Sequence, residues 1–164
     1  VATVEIKDDE ITAALARLSA ALSDLTPVFQ GIGEIVVNST RQRFAQGVAP
    51  DGGRWAPKSR TTLLKYSVRS SNRIDVRPLF GRSGALSSQI FYEAGPDSLQ
   101  WGSPRIYAAT QQFGARQGAF GRTSRNGPIP WGDIPARPFL GLSVEDEANI
   151  LKALGDWLER AAAS

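Results

Sequence analysis

The chain is 164 residues long, carries 19 Lys and Arg against 16 Asp and Glu for a net charge of +3, and contains no His, Cys or Met. Zero Cys excludes disulfides, thiolate metal sites and Cys nucleophiles. Zero His excludes the Ser-His-Asp triad, the commonest general base and the usual zinc ligands, so composition weighs against an enzyme.

A length of this order suits a single domain over residues 1–164 with a substantial core. No apolar run approaches the about 20 residues needed to span a bilayer. The opening, Val1–Glu10, is polar and acidic, unlike a signal peptide; numbering from Val1 implies that an initiator Met was removed or omitted. Asp8, Asp9 and Glu10 suit a helix N-terminus. Ile11, Ala14, Leu15, Leu18, Leu22 and Leu25 recur at helical spacing, which predicts an amphipathic helix over 9–24. Pro27 fits the first turn of a second helix, predicted over 27–46 from Phe29, Ile32, Val36, Thr40 and Phe44. Gly31 and Gly33 weaken its start, and small residues there permit close packing against another backbone.

Pro50-Asp51-Gly52-Gly53 is a turn. Thr61 to Tyr66 is expected to form one or two helical turns, and Ser67 to Pro78 an exposed loop. Leu86, Ser88, Ile90 and Tyr92 fall on one face of an expected strand, with Gly95-Pro96-Asp97 as turn and Leu99 to Gly102 as its partner. Ile106, Ala109 and Phe113 are expected to make the apolar face of a short helix ending at Gly114. Residues 115–130 hold Gly118, Gly121, Gly127 and three Arg with no acid, which predicts a long exposed loop. Phe139 to Leu142 is expected as a short buried strand. Ser143 with Asp146 approximates a capping box, and Ile150, Leu151, Leu154, Trp157 and Leu158 stripe a final helix over 143–160, with Ala161 to Ser164 fraying. The predicted class is α+β, helices on a small antiparallel sheet with long loops near 47–80 and 115–130.

Charge is segregated along the chain. Residues 1–40 carry two basic and six acidic groups, net −4; residues 41–137 carry fifteen and five, net +10; residues 138–164 carry two and five, net −3. The densest basic stretch runs from Arg54 to Arg82, with eight basic residues against Asp75. A solvated basic face explains this pattern, as do contacts with nucleic acid or with an acidic neighbouring subunit.

Motifs for chemistry are sparse. Gly31-Ile32-Gly33 lies inside a predicted helix and lacks the Lys-Ser/Thr of a P-loop. Ser83 in Gly81-Arg82-Ser83-Gly84 has no His to activate it. Glu145, Asp146 and Glu147 sit where acids stabilise a helix dipole. Trp157 belongs to the final helix stripe. Trp55, Trp101 and Trp131 lie beside Gly/Pro turns, where each either plugs the core beneath a loop or anchors a subunit contact.

One ordered set of pieces is more specific. Phe44-x5-Pro50-Asp51-Gly52-x2-Trp55, Thr62 and Lys65, Leu79-x3-Ser83-Gly84-x-Leu86, Gly102-Ser103, Tyr107-Ala108, Gln111-Gln112-Phe113-Gly114 and Ile134-Pro135-Ala136-Arg137-Pro138-Phe139-Leu140-Gly141-Leu142-Ser143 together resemble the phage virion morphogenesis family of Mu-type and P2-type tail completion proteins. The resemblance spans residues 29–158 and leaves the 67–78 and 115–128 loops unmatched. It implies a non-enzymatic structural protein of a tailed phage or prophage, located in the virion and assembled in the host cytoplasm. Such a protein acts at the neck in tail completion and head–tail joining, as a ring of six copies, or as tail terminator or head-side connector of the same neck. The implied partners are copies of itself, other neck, tail-tube or connector proteins, and packaged DNA in weak contact, with no membrane and no cofactor.

On these grounds the expected interface or loop-anchoring residues are Trp55, Trp101, Phe113, Arg116, Arg122, Arg125, Trp131, Arg137 and Phe139. A ring needs two different faces per subunit, and segregated charge supplies them. Replacing Trp55 by Ala is expected to leave subunits folded but joining defective. A small basic nucleic-acid-binding module using residues 54–82 is the alternative of another class, and a carboxylate hydrolase using Glu145 and Asp146 is a third.

Overall fold

The computed structural model describes residues 8–69, 75–81 and 83–163. In chain order these form helix α1 (Asp9–Leu22), α2 (Thr26–Gln46), α3 (Arg60–Arg69) and α4 (Ala85–Ser88), strands β1 (Phe91–Ala94) and β2 (Leu99–Gly102), then α5 (Ala108–Phe113) and α6 (Val144–Ala163). The class is α+β: helices packed with one two-stranded antiparallel sheet, in which Phe91 pairs with Gly102 and Ala94 with Leu99.

Local signals set the helix ends. The Asp8 carboxylate accepts hydrogen bonds from the Glu10 and Ile11 amides and starts α1. Pro27 lies in the first turn of α2, where its missing N–H costs nothing, and α2 ends on left-handed Gly47. At α6 the Ser143 hydroxyl accepts from the Asp146 amide while the Asp146 carboxylate accepts from the Ser143 amide at 2.8 Å. That is the reciprocal capping box with Asp in place of Glu.

α2 is the central element and packs on α6, β1, β2 and α4. One flank of it, Val28, Ile32 and Val36, meets Leu99, Trp101, Ile150, Leu154 and Trp157. The other, Val37 and Phe44, meets Trp55, Leu79, Leu86, Ile90, Ala108 and Phe139. At Gly33 the ring of Tyr92 lies so close that a Cβ would stand 2.3 Å from its Cδ2. Gly31, by contrast, faces open space. α1 packs on α6 but buries no residue completely; Ala14 and Leu18 are half-buried while Ile11, Leu15 and Leu22 remain exposed.

Several expectations are corrected. Residues 85–88 are helical, not extended, and the strand begins only at Phe91. Leu86 and Ile90 are both buried, and a spacing of four satisfies a helical turn as well as it satisfies alternation. Phe139 to Leu142 pairs with no strand, and Leu142 is exposed. Side chains serve that backbone instead: Gln112 Oε1 accepts from the Phe139 and Leu140 amides, and the Arg43 guanidinium donates to the Phe139 and Gly141 carbonyls. α3 runs ten residues, past Ser67, so the loop near 47–80 is interrupted by a helix; residues 70–74 of the expected loop lie outside the described residues. α5 buries Ala108 rather than Ile106, Ala109 and Phe113, and Ile106 is 98 % exposed. α6 continues helical to Ala163 instead of fraying from Ala161, and Ser164 lies outside the described residues, as do Val1 to Lys7 and Arg82.

Candidate functional site

Three of the resembling sequence pieces, Phe44 to Trp55, Gln111 to Gly114 and Ile134 to Ser143, converge on one place. Trp55, in the loop after the Pro50 turn, is 6 % exposed and donates its indole N–H to the Pro138 carbonyl at 2.8 Å. Its ring stands edge-on to Phe44 at 5.5 Å between centroids, and Phe139 meets Phe44 at 5.3 Å. Phe44 and Phe139 are both 0 % exposed. Arg137, also buried, donates to the Ala56 carbonyl at 2.7 Å, the Pro57 carbonyl at 2.9 Å and Gln111 Oε1 at 3.4 Å. The Arg137 amide donates to the Gln111 carbonyl at 2.8 Å. One guanidinium therefore ties residues 56–57, the α5 helix and the 134–142 segment together, using the fixed fork that only Arg presents. Burial lowers its pKa from the ordinary value. Gly114 completes the joint: a Cβ there would lie 2.7 Å from the Ile134 carbonyl oxygen and 2.8 Å from the Ala136 amide nitrogen.

Trp55, Arg137 and Phe139 are thus loop anchors inside the subunit. This burial adds a stability cost to the expected effect of Trp55→Ala on joining. Removing a buried aromatic costs about 3–5 kcal/mol, so stability falls before any contact outside the chain is tested.

Beside the joint lies a cleft of about 380 Å³ lined by Lys58, Thr62, Leu79, Tyr107, Asp133 and Arg137. Lys58 Nζ donates to the Asp75 and Phe80 carbonyls and closes the loop across the cleft. Burial lowers the Lys58 pKa; the Asp75 charge opposes that shift, and the Arg77 and Arg137 charges add to it. Asp75 itself is held below its usual value, chiefly by the hydrogen bond from Arg77, its ion-pair partner at 2.5 Å. The arrangement offers cations already committed to backbone carbonyls, a stapling geometry. Glu145 and Glu147 are exposed on the first turn of α6. Among the described residues no cluster of three or more His, Cys, Asp or Glu is placed to hold a metal ion. No helix there is long and apolar enough to cross a membrane.

Of the other expected residues, all but Trp101 are displayed outward. Residues 115–134 form an arm: Ala115 and Ile134 bridge at its base, Arg122 and Pro128 near its tip. Between them Gly118 donates to Pro130 and Phe120 to Ile129, and beyond the second bridge Thr123 donates to Gly127. The expected loop is therefore a hairpin-like arm, too polar for a core and ordered by its own ladder. Its exposed groups include Trp131, 76 % exposed, with Phe120, Arg116 and Arg125, and Phe113 stands at its root with 78 % exposure. Arg122 donates to Asn126 within the tip. Trp101 is not displayed: it is half-buried against α2 and α6, with its indole N–H unpartnered.

A buried pair joining α2 to α6 was not foreseen. Arg43 Nη2 meets Asp146 Oδ2, and both side chains are almost wholly enclosed. Its signal lay in the spacing of Val36, Thr40 and Arg43, which puts a cation on the buried face of α2.

The chain as a whole is similar to known proteins. A model of the phage virion morphogenesis family matches residues 6–159. The Mu-like prophage FluMu G protein 2 of Haemophilus influenzae is 31 % identical over 157 residues, which is 95 % of both chains. The protein of Escherichia phage Mu named for capsid assembly, protein G, is 29 % identical over 154 residues, 90 % of this chain and 92 % of that one. No solved structure matches. The chain belongs to the phage virion morphogenesis family.

Proposed function

We propose that this chain is a structural subunit of the neck of a tailed phage or prophage, closing the finished tail and joining it to the head as a ring of six copies. The observation that carries the proposal is the division of labour between buried and exposed candidate residues. Trp55, Arg137 and Phe139 lock the loops onto a rigid body, while the arm rooted beside them presents Phe113, Phe120, Trp131, Arg116 and Arg125 to the outside. Aromatic and Arg side chains are the types that carry protein–protein contacts. The residues in that joint hold backbone; their arrangement supports shape and charge fit rather than bond chemistry. Tail terminator and head-side connector are the neighbouring roles in the same neck, and the partners are copies of this chain with tail-tube or connector proteins.

Electron microscopy of virions carrying a label on this chain tests the location. Label at the head–tail junction is the expected result; label along the capsid shell, at the distal tail tip, or absent from purified particles overturns it. The alternative, a nucleic-acid module, draws on exposed Arg54, Arg60 and Lys65. It requires duplex affinity that falls steeply with salt, whereas a neck subunit needs only weak contact with passing DNA.

A further inference from the structure

Two exposed surfaces of this chain complement each other and are not joined within one copy. The first is the outer flank of α1. Ile11, Leu15 and Leu22 follow at spacings of four and seven, so they share one flank, and all three are exposed. Asp9 and Glu10 stand at the N-terminal end of α1, on other sides of the helix than Ile11 and exposed, with no side-chain hydrogen bond or ion pair among the described residues. The second is the arm. It displays Phe120 and Trp131 together with Arg116 and Arg125, whose side chains likewise have no hydrogen-bond or ion-pair partner among the described residues. Between residues 115 and 132 there is no acid to neutralise them. α1 packs on α6, the arm is rooted on α5, and no hydrogen bond or ion pair among the described residues links α1 to the arm.

We propose that copies of this chain join head to tail, with the acidic N-terminal end and the exposed aliphatic flank of α1 in one copy seated on the arginine- and aromatic-bearing arm of the next. The inference rests on the ring reading above and names the surfaces that would close it. A second copy is the occupant that both halves specify: one surface offers carboxylates at the helix end and aliphatic side chains along its flank, the other guanidinium groups and aromatic rings. Each copy carries one of each, so the contact is heterologous and propagates until it closes. Duplex DNA suits the arm less well, because phosphates would satisfy the arginines and leave Phe120 and Trp131 in water. Rim charges of this kind set register and encounter rate, while the apolar pairs supply the desolvated centre.

The absence of Cys makes the test clean. Leu15→Cys and Phe120→Cys replace exposed side chains, so neither should disturb the core. Each is prepared singly, mixed, and treated with a flexible bis-maleimide, in purified protein and in assembled particles. Cross-linked dimers in the mixture, and a ladder ending at the ring size in the double variant, are expected. Oligomers that form without this cross-link overturn the contact while leaving the ring standing. A chain that stays monomeric at high concentration and in particles overturns both. Charge exchange gives the second arm of the test. Arg116→Glu with Arg125→Glu, or Asp9→Arg with Glu10→Arg, should each weaken self-association about tenfold, equivalent to about 1.4 kcal/mol. Mixing the two variants should restore it. If the arm variant loses duplex DNA binding and keeps full self-association, the arm is a nucleic-acid surface and the proposal fails.

Discussion

Asp146 holds more of this molecule together than its place in a capping box implies. Its Oδ2 accepts from the Ser143 amide and hydroxyl at 2.8 Å and meets the Arg43 guanidinium, which in turn donates to the Phe139 and Gly141 carbonyls. Burial by itself would raise the pKa of this carboxyl. The hydroxyl of Ser39, the amide and hydroxyl of Ser143 and the charge of Arg43 outweigh that and hold it below the ordinary value. A depressed folded pKa means the unfolded chain binds the proton more readily. The stabilisation is therefore complete above the unfolded value of about 3.9 and is lost as pH falls through the folded one. Asp146→Asn should show a flatter acid limb than the parent when unfolding free energy is followed by denaturant titration from neutral pH downward. Asp146→Ala, which strands the Arg43 charge, should cost about 3–5 kcal/mol at neutral pH. An unchanged acid limb in the Asn variant would show that the pair contributes no linkage. Arg137 works differently, since its partners are carbonyls and an amide oxygen that do not titrate in this range.

At the scale of elements, the contact between α2 and β1 is governed by one missing side chain. Tyr92 lays its ring against Gly33 and donates its hydroxyl to Glu34 at 3.1 Å. Gly33→Ala drives a methyl into that ring and should destabilise by about 1–3 kcal/mol. Gly31→Ala, two residues away and facing open space, should stabilise by up to about 1 kcal/mol through helix propensity. Thermal unfolding of the two variants side by side checks both signs; equal shifts would reject the close approach. The pair of glycines was visible in the sequence as a weak helix start, but not which of them met a neighbour, because that depends on where β1 lands. The same limit explains what else was legible. Helices α1, α2 and α6 announce themselves by long 3.6-residue periods and capping residues, and the β1–β2 hairpin by its Gly-Pro-Asp turn. Residues 85–88 were misread because Leu86 and Ile90 fit both periods over so short a run. The Phe139 to Leu142 segment was misread because its backbone is satisfied by Gln112 and Arg43, side chains 27 to 98 residues distant, rather than by a neighbouring strand. Among the candidate residues, Trp55 and Trp131 look alike in sequence, each beside a Gly/Pro turn, and end in opposite environments.

For the whole molecule, the arm and the body are separable in their energetics. The body keeps its core in two clusters along α2, and none of the residues 119–129 belongs to either. Within 119–129 every residue is exposed or half-buried, and the hydrogen bonds that shape the segment stay within the arm. Below it, Gly118 donates to the Pro130 carbonyl at 3.1 Å, and Gln117 is held by Asp133 and by the Trp131 carbonyl. Two glycines can therefore bridge Gly118 to Pro130 as a tight hairpin turn in place of 119–129. The shortened chain should unfold within about 0.5 kcal/mol of the parent, since only surface is removed. It should nevertheless fail to support assembly of infectious particles, because Phe120 and Arg125 leave with the segment. Denaturant unfolding read beside phage yield distinguishes the possibilities by sign. A stable chain with lost yield assigns the arm to assembly. A chain that unfolds shows that the arm supports the body, and a stable chain with normal yield shows that the neck contacts lie elsewhere on the molecule.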